Sequence, residues 1–326
     1  MSNNFFDQDV KAQTDSLTLF ARGILKKYGI SDAQVECINF EFNATFSVST
    51  ESGQKYALRL NINSTRTVSN ILAETQWVRE LARIPSVNVP TPIATLDDQF
   101  VVSALHEDSG QTICGVMYSW LEGEEIGDEP TLDQLHTAGR AMALLHENSS
   151  HFTLTDGAEL PTFNDFFWGT EDYLFSSKSR LIPKERQLIE QARDLIMKYT
   201  DELYSTSVVR IIHADLHGWN LMWHEEQLFI FDFDDCGYGV EAQDIAVALY
   251  YLDTPEQDEA LLDGYKSIRP LPTYSEKAMK ALLLQRRLLL LNYLFETKNA
   301  EHKEMLPAYL EKTIERVSTF LTDVTQ

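Results

Sequence analysis

The sequence predicts an α+β protein of two lobes, a small mixed α/β lobe at the amino end and a larger, mainly helical lobe after it. Three observations carry that reading. Strand-like alternation is concentrated before residue 122, helical periodicity dominates beyond it, and 326 residues exceed what a single hydrophobic core usually organises.

In the first lobe a helix is expected over residues 16–28. From Val35 to Leu60 apolar and polar residues alternate, and Glu51-Ser52-Gly53-Gln54 supplies a turn, giving a hairpin that feeds a third strand. Between residues 65 and 83, Val68, Ile71, Leu72, Trp77, Val78 and Leu81 recur at helical spacing until Pro85 stops the run. Pro90 and Pro92 lead into strand-like runs at 100–104 and 112–121. The next stretch, Glu122-Gly123-Glu124-Glu125-Ile126-Gly127-Asp128-Glu129-Pro130, shifts abruptly to glycine and acid. It sets the lobes at residues 1–121 and 122–326, with the hinge at about 116–124. Thr131 and Gln134 then form a capping box for the next helix. Helical patterns follow at 131–148, 162–177, 183–203, 242–252, 255–267, 274–298 and 302–324, interrupted by one strand-rich island over 208–232.

Lys and Arg number 27 against 50 Asp and Glu, a formal charge of −23, so any polyanion meets a repulsive field. Nucleic acid and anionic membrane are therefore not expected partners. The acidity fits a solvated surface better than it fits the collection of a cationic substrate, and it names no ligand. Cys37, Cys114 and Cys236 are odd in number and lack CxxC or His-paired spacing, which points to reduced thiols packed as small core residues. The opening Met1-Ser2-Asn3-Asn4-Phe5-Phe6-Asp7 has no basic segment leading an apolar run. The apolar stretch 281–295 is broken by Gln285-Arg286-Arg287. The expectation is a soluble cytoplasmic protein without secretory signal or membrane span.

The chemistry lies in the island. An apolar strand, Val208-Val209-Arg210-Ile211-Ile212, runs into His213-Ala214-Asp215-Leu216-His217-Gly218-Trp219-Asn220, and a second, Leu228-Phe229-Ile230-Phe231, runs into Asp232-Phe233-Asp234-Asp235. A carboxylate and a carboxamide on one short loop, with carboxylates at the end of the next strand, can converge on one spot. Phosphoryl transfer needs that set: one carboxylate to accept a hydroxyl proton, and an amide oxygen and a second carboxylate as hard ligands for Mg²⁺ on the phosphates.

The order His213-x-Asp215, Asn220, Asp232 resembles the catalytic loop and metal-binding aspartate of protein-kinase-like enzymes. With His217 after the base, the acidic turn after the strand and Gln243-Asp244-Ile245-Ala246 beyond it, the pattern is most similar to the aminoglycoside phosphotransferase, choline kinase and type II homoserine kinase group. The resemblance covers most of the chain. It implies a two-lobed protein-kinase-like fold and transfer of phosphate from ATP, with Mg²⁺, to a hydroxyl of a small molecule. It makes Asp215 the catalytic base, sets His217 near the γ-phosphate, and gives Asn220 and Asp232 to the metal. Asp234 joins them as a metal ligand or substrate-amine contact, and Asp235 shares that choice; a solvated turn fits both equally. His213 becomes a packing residue. Asp244 becomes a brace for the catalytic loop, although its place early in a helix also fits dipole compensation. Trp219 and Trp223 read as packing residues.

The same resemblance demands, in the first lobe, a strand cation for phosphates and a helix carboxylate to orient it. In Tyr56-Ala57-Leu58-Arg59-Leu60 the period of two puts Ala57 and Arg59 on one face, with Arg where the family pattern has Lys. Glu74 lies on the inward stripe with Ile71, Val78 and Leu81, and an inward carboxylate wants a partner. No glycine-rich loop precedes them. The short turn Asn43-Ala44-Thr45 stands in its place, its backbone amides offered to phosphate. Met117 and Ser119, on the strand Met117-Tyr118-Ser119-Trp120-Leu121, would give backbone groups to adenine.

Two other readings compete. Asp232 and Asp234 after an apolar strand resemble the Asp-x-Asp of haloacid-dehalogenase-like phosphatases, but Cys236 stands where Thr is usual and the catalytic-loop pattern is left unexplained. A degenerate kinase fold is suggested by Arg59 and opposed by the complete set Asp215, Asn220 and Asp232. No long segment ending in Ala-Pro-Glu follows Asp232, which favours a small acceptor over a protein. Asp165, Trp168, Glu171, Tyr173 and Tyr238 are candidate lining residues. No motif separates aminoglycoside, amino alcohol, homoserine or sugar, ATP from GTP, or monomer from dimer.

Overall fold

The computed structural model describes residues 4–155 and 157–325. In chain order the helices are α1 (Val10–Leu25), α2 (Val68–Leu81), α3 (Leu132–Ser149), α4 (Pro183–Thr206), α5 (Glu241–Tyr250), α6 (Pro255–Lys266), α7 (Glu276–Glu296) and α8 (Ala300–Thr325). The strands are β1 (Ala33–Phe40), β2 (Ala44–Thr50), β3 (Lys55–Asn61), β4 (Pro92–Ile93), β5 (Val102–His106), β6 (Gln111–Ser119), β7 (Glu124–Glu125), β8 (Arg210–Ile212), β9 (Leu221–His224), β10 (Gln227–Ile230) and β11 (Gly237–Gly239). They fall into two units. The first comprises Met1–Glu124, Phe152–Leu160 and Met222–Asp234, the second Glu125–His151, Pro161–Leu221 and Asp235–Gln326.

In the first unit an antiparallel sheet runs β1-β2-β3-β6-β4, with β5 also paired to β6. The strand period of two sorts its side chains. Leu58, Leu60, Ile113 and Met117 pack with Leu17, Ala21 and Ile24 of α1, while Cys114, Val116 and Tyr118 pack with Ile71 of α2. Ala57 belongs to this second face, so by alternation Arg59 does too. Asn88 ties the β9–β10 hairpin into the unit, its carbonyl accepting from Ile230 N at 2.9 Å and its Nδ2 donating to Leu228 O at 2.9 Å. α1 begins six residues before the expected helix. Asp9 caps it by accepting from Ala12 N at 2.8 Å, and the first turns are polar, so apolar periodicity did not mark them.

In the second unit β8 pairs antiparallel with β11, a strand hidden in a glycine-rich turn. α3 opens with the expected capping box, Thr131 Oγ1 accepting from Gln134 N and Gln134 Oε1 from Thr131 N. The α3–α6 crossing is at backbone contact. A Cβ on Gly139 would lie 1.9 Å from Leu261 O, and one on Gly264 would lie 1.9 Å from His136 O. α4, α7 and α8 enclose a core around Ile189, Ile196, Leu288, Leu291 and Val317. The polar break in α7 is internal wiring: Gln285 Nε2 donates to Phe166 O and Arg287 Nε to Thr313 Oγ1.

The helix expected over 162–177 does not form. Asp165 Oδ1 accepts from Phe167 N and Gly169 N, and Asp172 Oδ1 accepts from Leu174 N and Phe175 N. These local side-chain bonds take the amides a helix would need, and Trp168 and Gly169 both have positive φ. Cys114 and Cys236 are buried, whereas Cys37, on edge strand β1, is only half-buried. Among the described residues no helix is long and apolar enough to cross a membrane.

Candidate active site

The first unit supplies a buried charge cluster. Arg59 of β3 and Glu74 of α2, expected as a pair from the kinase resemblance, meet in a two-pronged bridge, Nη1 to Oε1 at 2.9 Å and Nη2 to Oε2 at 2.5 Å. Arg59 is 7% and Glu74 3% exposed, so this is no surface pair. Tyr118 donates its hydroxyl to Glu74 Oε1 at 2.9 Å. Burial opposes the Arg59 charge, yet Glu74 beside it keeps the guanidinium well above its ordinary range, while burial pushes the Tyr118 phenol well up. Arg59 Nε is left buried without a partner.

Asp234 extends this cluster. Its Oδ2 accepts from Asn43 Nδ2 at 3.0 Å and from Ser64 Oγ at 3.4 Å, its Oδ1 from Asn61 Nδ2 at 3.4 Å, and Arg59 Nη2 stands 3.7 Å away. It is not a solvated turn. As a metal ligand it would have to exchange some of these donors. Asn43 thus engages through its side chain, while Thr45 lies on β2 opposite Arg59. Met117 is buried within the sheet, paired with Leu58 on one side and Ile93 on the other, and Ser119 N donates to Thr91 O at 2.8 Å. Their positions alternate with Arg59's face rather than sharing it. Asp232 ends the hairpin, exposed and at φ 57.

The second unit supplies the catalytic loop. Asp244, fully buried in α5, accepts from His213 N at 3.1 Å and Ala214 N at 2.7 Å, and pairs with His146 Nε2 at 2.9 Å. Its carboxylate braces the loop, and simple dipole compensation does not account for these bonds. Burial would raise this carboxyl, but the His146 bond and the loop amides hold it low. The brace keeps Ala214 at φ 67, a left-handed conformation that costs a non-glycine residue roughly 1–2 kcal/mol. Asp215 N then donates to the buried His213 at Nδ1, 3.3 Å away.

The Asp215 carboxylate is held from both ends. Arg286 Nη2, from α7, donates to Oδ1 and also to Tyr251 Oη at 2.7 Å. Asn220 Nδ2 donates to Oδ2 at 3.1 Å and to Asp215 O at 2.8 Å. His217 Nδ1 accepts from Trp219 N, so a neutral ring carries its hydrogen on Nε2, which faces Asp215 Oδ2 at 3.4 Å. Burial alone would raise the Asp215 carboxyl, but the Arg286 guanidinium and His217 hold it well below the usual carboxylate range. Burial likewise pushes the Tyr251 phenol up to about 12. Trp219 is 49% exposed, its ring N–H donating to Asp128 at 2.7 Å, rather than the packing residue expected.

Sequence reasoning missed Arg286, Tyr251, Tyr118, Asn61 and Ser64. Only Arg286 left a mark, as part of the polar break in an apolar run. Asn220 uses its nitrogen on Asp215, which leaves its oxygen for a cation. Among the described residues no three His, Cys, Asp or Glu side chains gather as a metal site. A divalent ion that takes one or two protein groups and completes its shell with phosphates and water fits that donor set.

The profile of the phosphotransferase enzyme family matches residues 41–278. The chain belongs to this family. Amicoumacin kinase of Bacillus subtilis is 26% identical over 240 residues, 72% of this chain and 69% of that protein. The structure of a microcompartment-associated aminopropanol kinase superposes with TM-score 0.79 at 25% identity, covering 94% of this chain and 98% of the other. Amicoumacin kinase hAmiN, solved with AMP-PNP, Ca²⁺ and Ami, superposes at 0.75 with 19% identity, covering 94% and 96%. The fold is the two-lobed protein-kinase-like one of the family's small-molecule kinases, with an antiparallel sheet and a helix in one part and a mainly helical remainder. As a family member the chain is a phosphotransferase with an alcohol group as acceptor, for which ATP and a divalent metal are typical.

Proposed function

We propose that this phosphotransferase moves the γ-phosphate of ATP to a hydroxyl of a small molecule: an amino alcohol first, with aminoglycoside, homoserine and sugar-like acceptors behind it. The observation that carries the reading is Asp215, a carboxylate kept ionised and aimed by Arg286, His217 and Asn220. Likeness to the aminopropanol kinase supports the amino alcohol. The formal charge of −23 is compatible with a cationic acceptor.

Asp215 accepts the hydroxyl proton and His217 stands beside it toward the transferred phosphate. A divalent cation, when bound, neutralises phosphate charge, and Asn220, Asp232 and, on exchange of its donors, Asp234 would hold it. Arg59 has committed both prongs to Glu74, so it offers phosphate its charge and Nε–H. Asn43 and Thr45 border that cluster, and Met117 and Ser119 carry the adenine side. In this reading residues 1–121 serve the nucleotide and 122–326 the acceptor. Need for ATP and unbridged thiols supports a cytoplasmic location.

The test is Mg²⁺-dependent ATP consumption by wild type and Asp215→Asn across amino alcohols, aminoglycosides, homoserine and sugars, with phosphorylated product weighed by mass spectrometry. Acceptor-stimulated turnover lost in the variant is expected. Absence of turnover and of nucleotide binding points to a degenerate fold, and hydrolysis of added phosphate esters to the phosphatase reading.

A further inference from the structure

The catalytic loop borders a small cavity in the second unit. Its volume is ≈ 20 Å³, room for about one water-sized or methyl-sized group. The floor is apolar and buried: Leu135 and Ala138 of α3, Ala248 of α5 and Leu261 of α6. The rim carries His217 and Tyr251, both half-buried, their rings 4.4 Å apart. These rim residues are also the neighbours of the base. His217 Nε2 faces Asp215, and Tyr251 accepts from the guanidinium that holds Asp215.

The cavity is not a gap that the helices can close. α3 and α6 already touch backbone to backbone at Gly139 and Gly264, so neither can move toward the other. Leu135, Ala138, Ala248 and Leu261 offer a ligand no hydrogen bond, so a polar group set among them loses its solvation without replacement, and the polar lining groups are the half-buried Gln134, His217 and Tyr251.

We propose that this cavity is an acceptor subsite that takes a methyl-sized apolar substituent, borne a few bonds from the hydroxyl that Asp215 engages. The inference rests on the kinase reading and narrows it to small alcohols with a short aliphatic branch. Each buried methylene contributes about a fourfold gain in kcat/KM, until the space is full.

Two measurements test it. The first is kcat/KM along a series of 2-amino alcohols, from ethanolamine through 2-amino-1-propanol and 2-amino-1-butanol to leucinol, for wild type and Ala248→Val. A rise of about fourfold at the first step, no further gain at the second, a fall at leucinol, and loss of the first-step gain in the variant are expected. A flat series, or a variant that scales every acceptor equally, overturns the subsite. The second needs no turnover: titration of 1-propanol followed by methyl NMR. Shifts confined to Leu135, Leu261 and Ala248, and lost on filling the cavity, support the inference, whereas shifts spread over the surface overturn it. Ala138→Val fills the cavity from α3 should Ala248→Val not fold. Failure of all acceptors with the propanol response intact sinks the kinase reading and leaves the cavity a ligand site.

Discussion

Asp215 is caught between burial, which favours its neutral acid, and Arg286 with His217, which favour the carboxylate. The cations win. A base depressed in this way stays ionised above its folded pKa and fails only as pH falls through it, so wild-type kcat should show no acid limb from Asp215 within the stable range. Arg286→Met removes the main opposing charge and should move an acid limb up into view in the pH profile of kcat. Asp215→Asn should lower kcat by about 10²–10⁴-fold with ATP binding retained by calorimetry. Asp244→Ala orphans the amides of His213 and Ala214, releasing Ala214 from its left-handed conformation. Turnover should fall while most secondary structure by circular dichroism remains. Asp215 and Asn220 were legible because their residue types and spacing carry the chemistry. Arg286 was not, because its partner lies 71 positions away and a charge in an apolar helix has many uses.

At the scale of elements, the strand period of two put Arg59 on one face with Ala57 and helical spacing put Glu74 on an inward stripe, and the kinase resemblance joined them as a pair. Glu74→Ala leaves a guanidinium buried without its counter-charge and should cost about 3–5 kcal/mol, read from urea unfolding. Arg59→Lys, a compact ammonium without the planar two-pronged fork, should fall short of wild-type stability in the same assay. Tyr118 stayed hidden because an aromatic on a strand reads as core, and only its neighbours show that its hydroxyl serves Glu74. The false helix over 162–177 has the opposite cause. Its apolar spacing is genuine, but Asp165 and Asp172 bond the adjacent amides, and spacing does not weigh that competition.

Across the whole molecule, chelation and unfolding should separate. With no cluster of three acidic, His or Cys ligands among the described residues, EDTA should abolish turnover and leave the melting temperature within error. The α3–α6 crossing is the reverse case. Gly139→Ala or Gly264→Ala drives a methyl into a carbonyl and should destabilise by about 3 kcal/mol or more, seen by calorimetry. The segment order also bears on synthesis. The first unit is complete only with Met222–Asp234, which begins 98 positions after Glu124. At the ribosome's pace of about 5–20 residues per second, that is a wait of about 5–20 s. Until then Trp77, fully buried in the finished protein, lacks its edge-to-face partner Phe233, and Arg59 lacks Asp234. The nascent α2 therefore carries a Trp77 ring that only the later hairpin can cap with Phe233, so the first unit finishes its packing after much of the second has been made.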